Sequence, residues 1–261
     1  MKPKQIIWRY IIIILVTVIG YSSYQLLIVR NNYAQEAEMH SRLLQYRPTL
    51  QTPTLQTSDP SALYTGPEIN QDIVDLQAVY PDVVGWLTIP GTHIDYPFVQ
   101  GNNNDDYLHM DLDQNRSQAG TIFMDYRNSK DFSDFNTIIF GHNMRNGSMF
   151  GTLQNFNDQD FFDAHKEGTI FLASQTYTIE IMAFVVVNPD NEMIYNRDIN
   201  TEMDKIDCID YIKSVARYYR DIGVATNDRL VTLSTCNYEF EDARMVIIGR
   251  IVALNVSTKS R

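Results

Sequence analysis

From Tyr10 to Val29 the chain runs for twenty residues without a charge, led by Ile11, Ile12, Ile13, Ile14, Leu15 and Val16. Wound as an α-helix at about 1.5 Å per residue, such a stretch is roughly 30 Å long, the thickness of a bilayer's hydrocarbon core. The expectation is a membrane-spanning helix over 10–29, with everything after it folded on one side of the membrane. Lys2, Lys4 and Arg9 precede the run and only Arg30 follows it closely. That bias predicts a cytoplasmic tail over 1–9 and an extracellular remainder. A cleaved signal peptide shares the basic start, and the segment after Gly20 leaves room for a cleavage site, but its apolar region is usually only about 7–15 residues. The length here favours an uncleaved anchor.

Met1 to Arg30 holds four basic and no acidic residues, so the other 231 residues carry 17 basic and 32 acidic, a net charge of −15. A surface of that sign disfavours nucleic acid as a partner and serves solubility. With 44% hydrophobic and 11% aromatic residues the chain has ample material for a core. Two cysteines occur, Cys208 and Cys236. An extracellular pair ordinarily suggests a disulfide, but a domain of this size hardly needs one, which leaves two free thiols as the competing reading.

Asn31 to Leu44 is composed of good helix formers, and Gln45 to Pro67 is rich in Pro, Thr, Ser and Gln. Residues 30–70 therefore read as a helix and linker, a stalk, and 71–257 as the folded domain. Within it a helical stretch, Ile69 to Val79, leads into short apolar or alternating runs bounded by Gly, Pro, Asn and Asp: Val83 to Ile89, Ile94 to Gln100, Thr121 to Tyr126, Thr137 to Phe140, Thr169 to Ala173, Tyr177 to Val187, Leu230 to Thr235 and Met245 to Val256. Six to eight strands at this spacing predict an all-β barrel or sandwich with added helices. One segment breaks the pattern. Glu202 to Ile222 places Ile209, Ile212, Val215 and Tyr219 at helical spacing, which predicts a helix inserted between two late strands. Cys208 falls on the apolar side of that helix, where a thiol is an inert packing group.

Cys236 has a different setting. It ends the run Leu230 to Thr235 and opens a polar loop, and Arg244 begins the next apolar run after it. If the two runs pair as an antiparallel hairpin, Cys236 and Arg244 lie side by side on one face, within roughly 5 Å. A guanidinium there favours the ionised thiol, and its fork of donors suits an oxyanion. The competing reading is that Arg244 answers the loop acids Glu239, Glu241 and Asp242. Of five histidines, His40, His93, His109 and His165 sit in helical, turn, polar or charged contexts. His142 follows the apolar run Thr137 to Phe140 and Gly141, so it too stands where a strand emerges into a loop. A Cys-x5-Arg phosphatase is disfavoured because its arginine position is Asp242, and a papain-like order is disfavoured because the cysteine there precedes the histidine.

The stretch Thr232-Leu233-Ser234-Thr235-Cys236 with Arg244 on the following strand resembles the signature of the sortases, and Ile139-Phe140-Gly141-His142-Asn143 is similar to their histidine segment. The likeness covers roughly Asp72 to Val256, and the helix inserted at Glu202 to Ile222 makes it similar to class B. The resemblance implies an eight-stranded β-barrel and a cysteine transpeptidase that needs no cofactor or metal. Its catalytic residues would be Cys236, His142 and Arg244. Asn104, Leu108, Ile194, Tyr195, Ser234 and Thr235 correspond to peptide-groove positions. The implied partners are secreted proteins with a C-terminal sorting motif of the Asn-Pro-x-Thr kind, cleaved after Thr through a thioester, and a peptidoglycan cross-bridge amine. A pilin lysine as acceptor, or a non-enzymatic anchored receptor or adhesin, are the alternatives.

Overall fold

The computed structural model describes residues 3–50, 69–196, 198–236 and 243–254. The chain divides into two compact units, one within Met1–Gln45 and one within Tyr46–Arg261. The first is one helix, α1, Pro3–Leu43. It is long and apolar enough to cross a membrane. The segment Asn31 to Leu44, read from sequence as a short helix of its own, continues α1 without a break. No proline or glycine separates Val29 from Leu43, so nothing interrupts the backbone hydrogen-bond ladder. Most of the Gln45 to Pro67 linker lies outside the described residues.

The second unit opens with α2, Gln71–Val79, whose N-cap Asn70 accepts from the Ile73 backbone N–H at 3.3 Å. Such a cap stabilises a helix by about 1 kcal/mol. Ile73 and Leu76 form its buried side. The strands then follow in chain order: β1 Val83–Thr88, β2 Asp95–Val99, β3 Ile122–Met124, β4 Asn136–His142, β5 Glu167–Leu172, β6 Thr176–Val187, β7 Ala216–Tyr219, β8 Arg229–Cys236 and β9 Arg244–Ala253. Short helices α3, Asp106–His109, and α4, Gln159–Ala164, interrupt them, and α5, Glu202–Val215, lies between β6 and β7.

The strands order as β5-β1-β2-β3-β4-β8-β9-β6, and β6 pairs back onto β5. This closes an eight-stranded barrel. Closure satisfies the edge N–H and C=O groups that an open sheet leaves unpaired. The barrel is mixed, because β2–β3 and β4–β8 are parallel while the other pairs are antiparallel. The twelve-residue β6 serves three neighbours: its first half meets β5, its second half meets β7, and its opposite edge meets β9 along nearly its whole length.

The strand period of two sorts side chains into two layers. On β8, Val231 and Leu233 join Ile139, Phe150, Ile179 and Ile247 in the core enclosed by the barrel. Leu230 turns the other way, toward a second apolar cluster with Val246, Ile248, Met182 and Val185, which α5 covers through Cys208, Ile209 and Ile212. A capping box at Thr201 and Asp204 starts α5.

The expected helix over Glu202 to Ile222 needs correction at its end. The helix stops at Val215, Ala216 turns to extended backbone (φ −63, ψ 129), and residues 216–219 form β7. Tyr219 keeps helical spacing from Val215 in sequence, but Tyr218 and Tyr219 pair with Phe184 and Ala183 on β6. An aromatic run beside an available strand edge is stabilised more by that ladder than by one further helical turn.

Candidate active site

The site is built on three adjacent strands. In the parallel pairing of β4 and β8, Asn136 lies opposite Leu230, Ile138 opposite Thr232, Phe140 opposite Ser234 and His142 opposite Cys236. In the antiparallel pairing of β8 and β9, Thr232 lies opposite Ile248 and Ser234 opposite Val246. Carried two residues further, the same register sets Cys236 across from Arg244. His142 and Arg244 alternate with the core-facing Gly141 and Met245, and position 236 lies between them by backbone register, so the three positions form one row across β4, β8 and β9 at the barrel rim. Neighbouring strands lie about 4.8 Å apart, which puts the cysteine backbone between the other two at one strand spacing from each.

Each flanking residue is fixed by its own contact. Arg244 Nη1 donates to the Thr235 carbonyl at 3.0 Å, the carbonyl of the peptide that leads into Cys236. The guanidinium is thereby held at the end of β8. The loop acids Glu239, Glu241 and Asp242, the competing partners for Arg244, lie outside the described residues. His142 is half-buried, and its Nε2 lies 2.7 Å from the Leu108 carbonyl oxygen. A carbonyl only accepts, so Nε2 carries a proton and donates it. Proton exchange with a thiol or amine then falls to Nδ1. Before His142, Gly141 faces the barrel core: a Cβ there would come within 2.8 Å of the Phe150 ring. The Gly-His pair thus lets β4 pass the core tightly and deliver the imidazole to the outer face.

The other residues singled out from sequence divide clearly. Tyr195 and Ser234 come together beside the row, their hydroxyls 2.9 Å apart, with the Tyr195 ring stacked on Phe140 at 6.2 Å between centroids. Ser234 and Phe140 are each two residues before Cys236 and His142, so this contact forms a wall next to the row. Ile194 is buried and contributes its carbonyl, which accepts from Asn136 Nδ2 at 3.1 Å, while Asn136 Oδ1 accepts from Thr232 Oγ1 at 2.8 Å. Leu108 has a buried side chain and meets His142 through its backbone. Thr235 is not brought to the row: it lies on the opposite face, fully buried, and its Oγ1 accepts from the Met245 N–H at 3.2 Å.

Asn104 also stands apart from the row. Its Nδ2 donates to Asp125 at 3.2 Å and its Oδ1 accepts from the Tyr126 N–H at 3.0 Å. Asp125 has no exposed surface and is gripped by Arg127 through Nε at 2.8 Å and Nη2 at 2.6 Å. Burial alone would raise its pKa, but the Arg127 hydrogen bonds and charge, with the Asn104 amide, bring it below the usual carboxylate range.

Three contributors went unread in the sequence. Phe140 and Asn136 alternate with His142 on one strand face, a period-two signal that was available. His109 on α3 brings its ring within 6.4 Å of His142, a nearness that its polar surroundings in the chain did not announce. Cys208, by contrast, sits where its helix spacing placed it. It is a free thiol, 2% exposed, and burial pushes its pKa up to about 11.

A closed mixed barrel that presents cysteine, histidine and arginine in register at one rim is laid out for acyl transfer through a thiol, the chemistry of a cysteine transpeptidase. The Sortase domain model matches residues 87–252. A sortase B from Listeria monocytogenes is 41% identical over 202 residues, 75% of this chain and 80% of its own length. One from Staphylococcus aureus is 30% identical over 183 residues, covering 69% and 74%. A solved sortase B from Bacillus anthracis superposes with a TM-score of 0.73 at 27% identity, covering 85% of this chain and 98% of that one. The chain belongs to the sortase family and is a transpeptidase of its class B type.

Proposed function

We propose that the chain is a membrane-anchored enzyme that cleaves a C-terminal sorting motif of the Asn-Pro-x-Thr kind after its threonine and joins the threonine carbonyl to a peptidoglycan amine. The observation that carries the reading is the register of β4, β8 and β9, which lines up His142, Cys236 and Arg244 on three neighbouring strands. Helix α1 serves as the anchor, with the basic residues Lys2, Lys4 and Arg9 on the cytoplasmic side and the barrel outside.

In this scheme the Cys236 thiolate attacks the threonine carbonyl, forming a C–S bond and a tetrahedral oxyanion that the Arg244 guanidinium stabilises. As the C–N bond breaks, protonated His142 gives its Nδ1 proton to the departing amine and a thioester remains. An incoming amine then attacks the thioester carbonyl, His142 takes its proton, and the C–S bond breaks to release the new amide and regenerate the thiolate. Tyr195, Ser234 and Phe140 form the wall beside the acyl group. Asn104, Leu108 and Ile194 shape the surroundings of the peptide groove through backbone and loop contacts.

The test is incubation of the full chain in detergent with an Asn-Pro-x-Thr peptide carrying a fluorophore and quencher, together with a peptidoglycan cross-bridge peptide. The expected result is a branched product whose mass joins the threonine to the cross-bridge amine, formed by the wild type and not by Cys236→Ala. Equal turnover by Cys236→Ala, or, with a pilin lysine peptide added in competition, a product joined to that lysine in preference to the cross-bridge, overturns the reading.

A further inference from the structure

Helix α3 has only four residues, too few to hold a fixed position by its own hydrogen bonds. Its neighbours hold it instead. Asn103 Oδ1 accepts from the backbone N–H groups of Asp105 and Asp106 at 2.8 and 2.9 Å. The Tyr107 carbonyl accepts from Thr121 N–H at 2.8 Å, the His109 carbonyl from Ser117 N–H at 2.8 Å and the Met110 carbonyl from Thr121 Oγ1 at 2.8 Å. In this sequence of four carbonyls, that of Leu108 accepts from a catalytic-site side chain, His142 Nε2.

Two features fix that carbonyl from behind. The buried Tyr107 ring reaches back to the turn before β1, where its hydroxyl donates to Asp82 Oδ2 at 2.5 Å. Gly120 packs against the peptide itself at φ +58: a Cβ there would lie 2.5 Å from the Leu108 oxygen and 2.6 Å from the Tyr107 oxygen. A side chain at 120 would be strained in the left-handed region and would press on the group that accepts from His142.

We propose that the Tyr107–Asp82 hydrogen bond and the bare Gly120 backbone form a brace that holds the Leu108 carbonyl against His142 and so selects the imidazole tautomer protonated on Nε2. Tyr107 and Asp82 are positioning residues that act through the α3 backbone. Burial and the Asp82 carboxylate both raise the Tyr107 pKa, so the phenol remains a donor at every physiological pH. A neutral imidazole that loses the Leu108 acceptor samples both tautomers, and only one of them accepts a proton on Nδ1. The inference rests on the reading of His142 as the acid and base.

The experiment uses the full chain in detergent, labelled with ¹⁵N-histidine, and compares the wild type with Tyr107→Phe, Asp82→Ala and Asp82→Asn. The wild type should show His142 as a single tautomer with Nε2 protonated at a pH where the ring is neutral. Tyr107→Phe and Asp82→Ala should give a tautomer mixture, lower kcat about tenfold with KM within about twofold, and move the acidic limb of the kcat profile. Asp82→Asn, which keeps an acceptor for the phenol, should recover most of both. Where Tyr107→Phe does not fold, Asp82→Ala reads the same bond with the ring still packed. If both variants lower only the melting temperature and leave kcat, the pH limb and the ¹⁵N signature unchanged, the brace is merely structural and the proposal fails. The ¹⁵N readout does not depend on turnover. A His142→Ala chain with wild-type activity would sink the catalytic reading while a shifted tautomer in Tyr107→Phe would leave the brace standing.

Discussion

The two cysteines of this chain sit in opposite physical settings. Cys208 is on a helix that closes the outer apolar layer, 2% exposed, and its thiol is pushed up to about 11 by burial alone. Cys236 ends a strand at the barrel rim, one strand away from a histidine and, by register, one strand away from an arginine. A thiol packed with Ile209 and Ile212 has no charge to stabilise its ionised form, whereas the position at the end of β8 lies across from Arg244 by register, where we propose a guanidinium favours the thiolate. The same residue type is a packing group in one place and a candidate nucleophile in the other. What distinguishes them is which face of which element the sequence period assigns them to.

The largest effect that sharpens this contrast is on activity. Cys236→Ala should lower peptide cleavage by at least about 10³-fold, while Cys208→Ala should stay within about twofold of wild type. Iodoacetamide on the folded chain should follow the same split, alkylating Cys236 and sparing Cys208, as peptide mass spectrometry can read. Comparable labelling of the two would break the comparison at its root. Next in size is Arg244→Lys, which keeps the charge and loses the planar fork. A fall in kcat of about 10²-fold with little change in KM is expected from steady-state kinetics.

The sheltered interior has a charged member as well, and it behaves differently from the rim. Arg127 holds the fully buried Asp125 below the usual carboxylate range. A depressed folded-state pKa contributes stability that is present above the unfolded value, near pH 4, and is lost as pH falls through the folded pKa. Arg127→Ala should therefore destabilise the barrel domain by about 2 kcal/mol at pH 7, with the gap to wild type closing below about pH 4 in urea titrations. The smallest effect belongs to Cys208→Ser. A hydroxyl left without an acceptor in the apolar layer should cost about 1–2 kcal/mol of stability and leave turnover unchanged.

Much of this arrangement is legible in the chain. The eight barrel strands follow from apolar runs bounded by turn residues, and the neighbourhood of Cys236 and Arg244 follows from two runs close enough to form a hairpin. The placement of His142 next to Cys236 is different in kind. β4 and β8 are parallel and separated by the whole of β5, β6, α5 and β7, and no local pattern records that pairing. Parallel neighbours are set by how the barrel closes, which is a property of the entire sheet.

The inserted helix shows the converse limit. Val215 and Tyr219 keep helical spacing, yet the free half of β6 draws residues 216–219 into a strand. Leu108 is marked in the sequence only as a groove position by resemblance; its contact with His142 is through a carbonyl that every residue possesses, so no side-chain pattern announces it. Tyr195 and Ser234 were marked only by family resemblance. Their hydrogen bond joins two segments far apart in the chain, where spacing carries no information.

The central claim is that Cys236 carries the acyl group. Mixing the full chain with an Asn-Pro-x-Thr peptide in the absence of any acceptor amine, quenching in acid and digesting for mass spectrometry reads it directly. The predicted result is a thioester-linked peptide remnant ending in threonine on the fragment that contains Cys236, absent from the fragment that contains Cys208 and released by added amine. Full cleavage of the peptide with no adduct on Cys236, or an adduct on Cys208, would contradict the account.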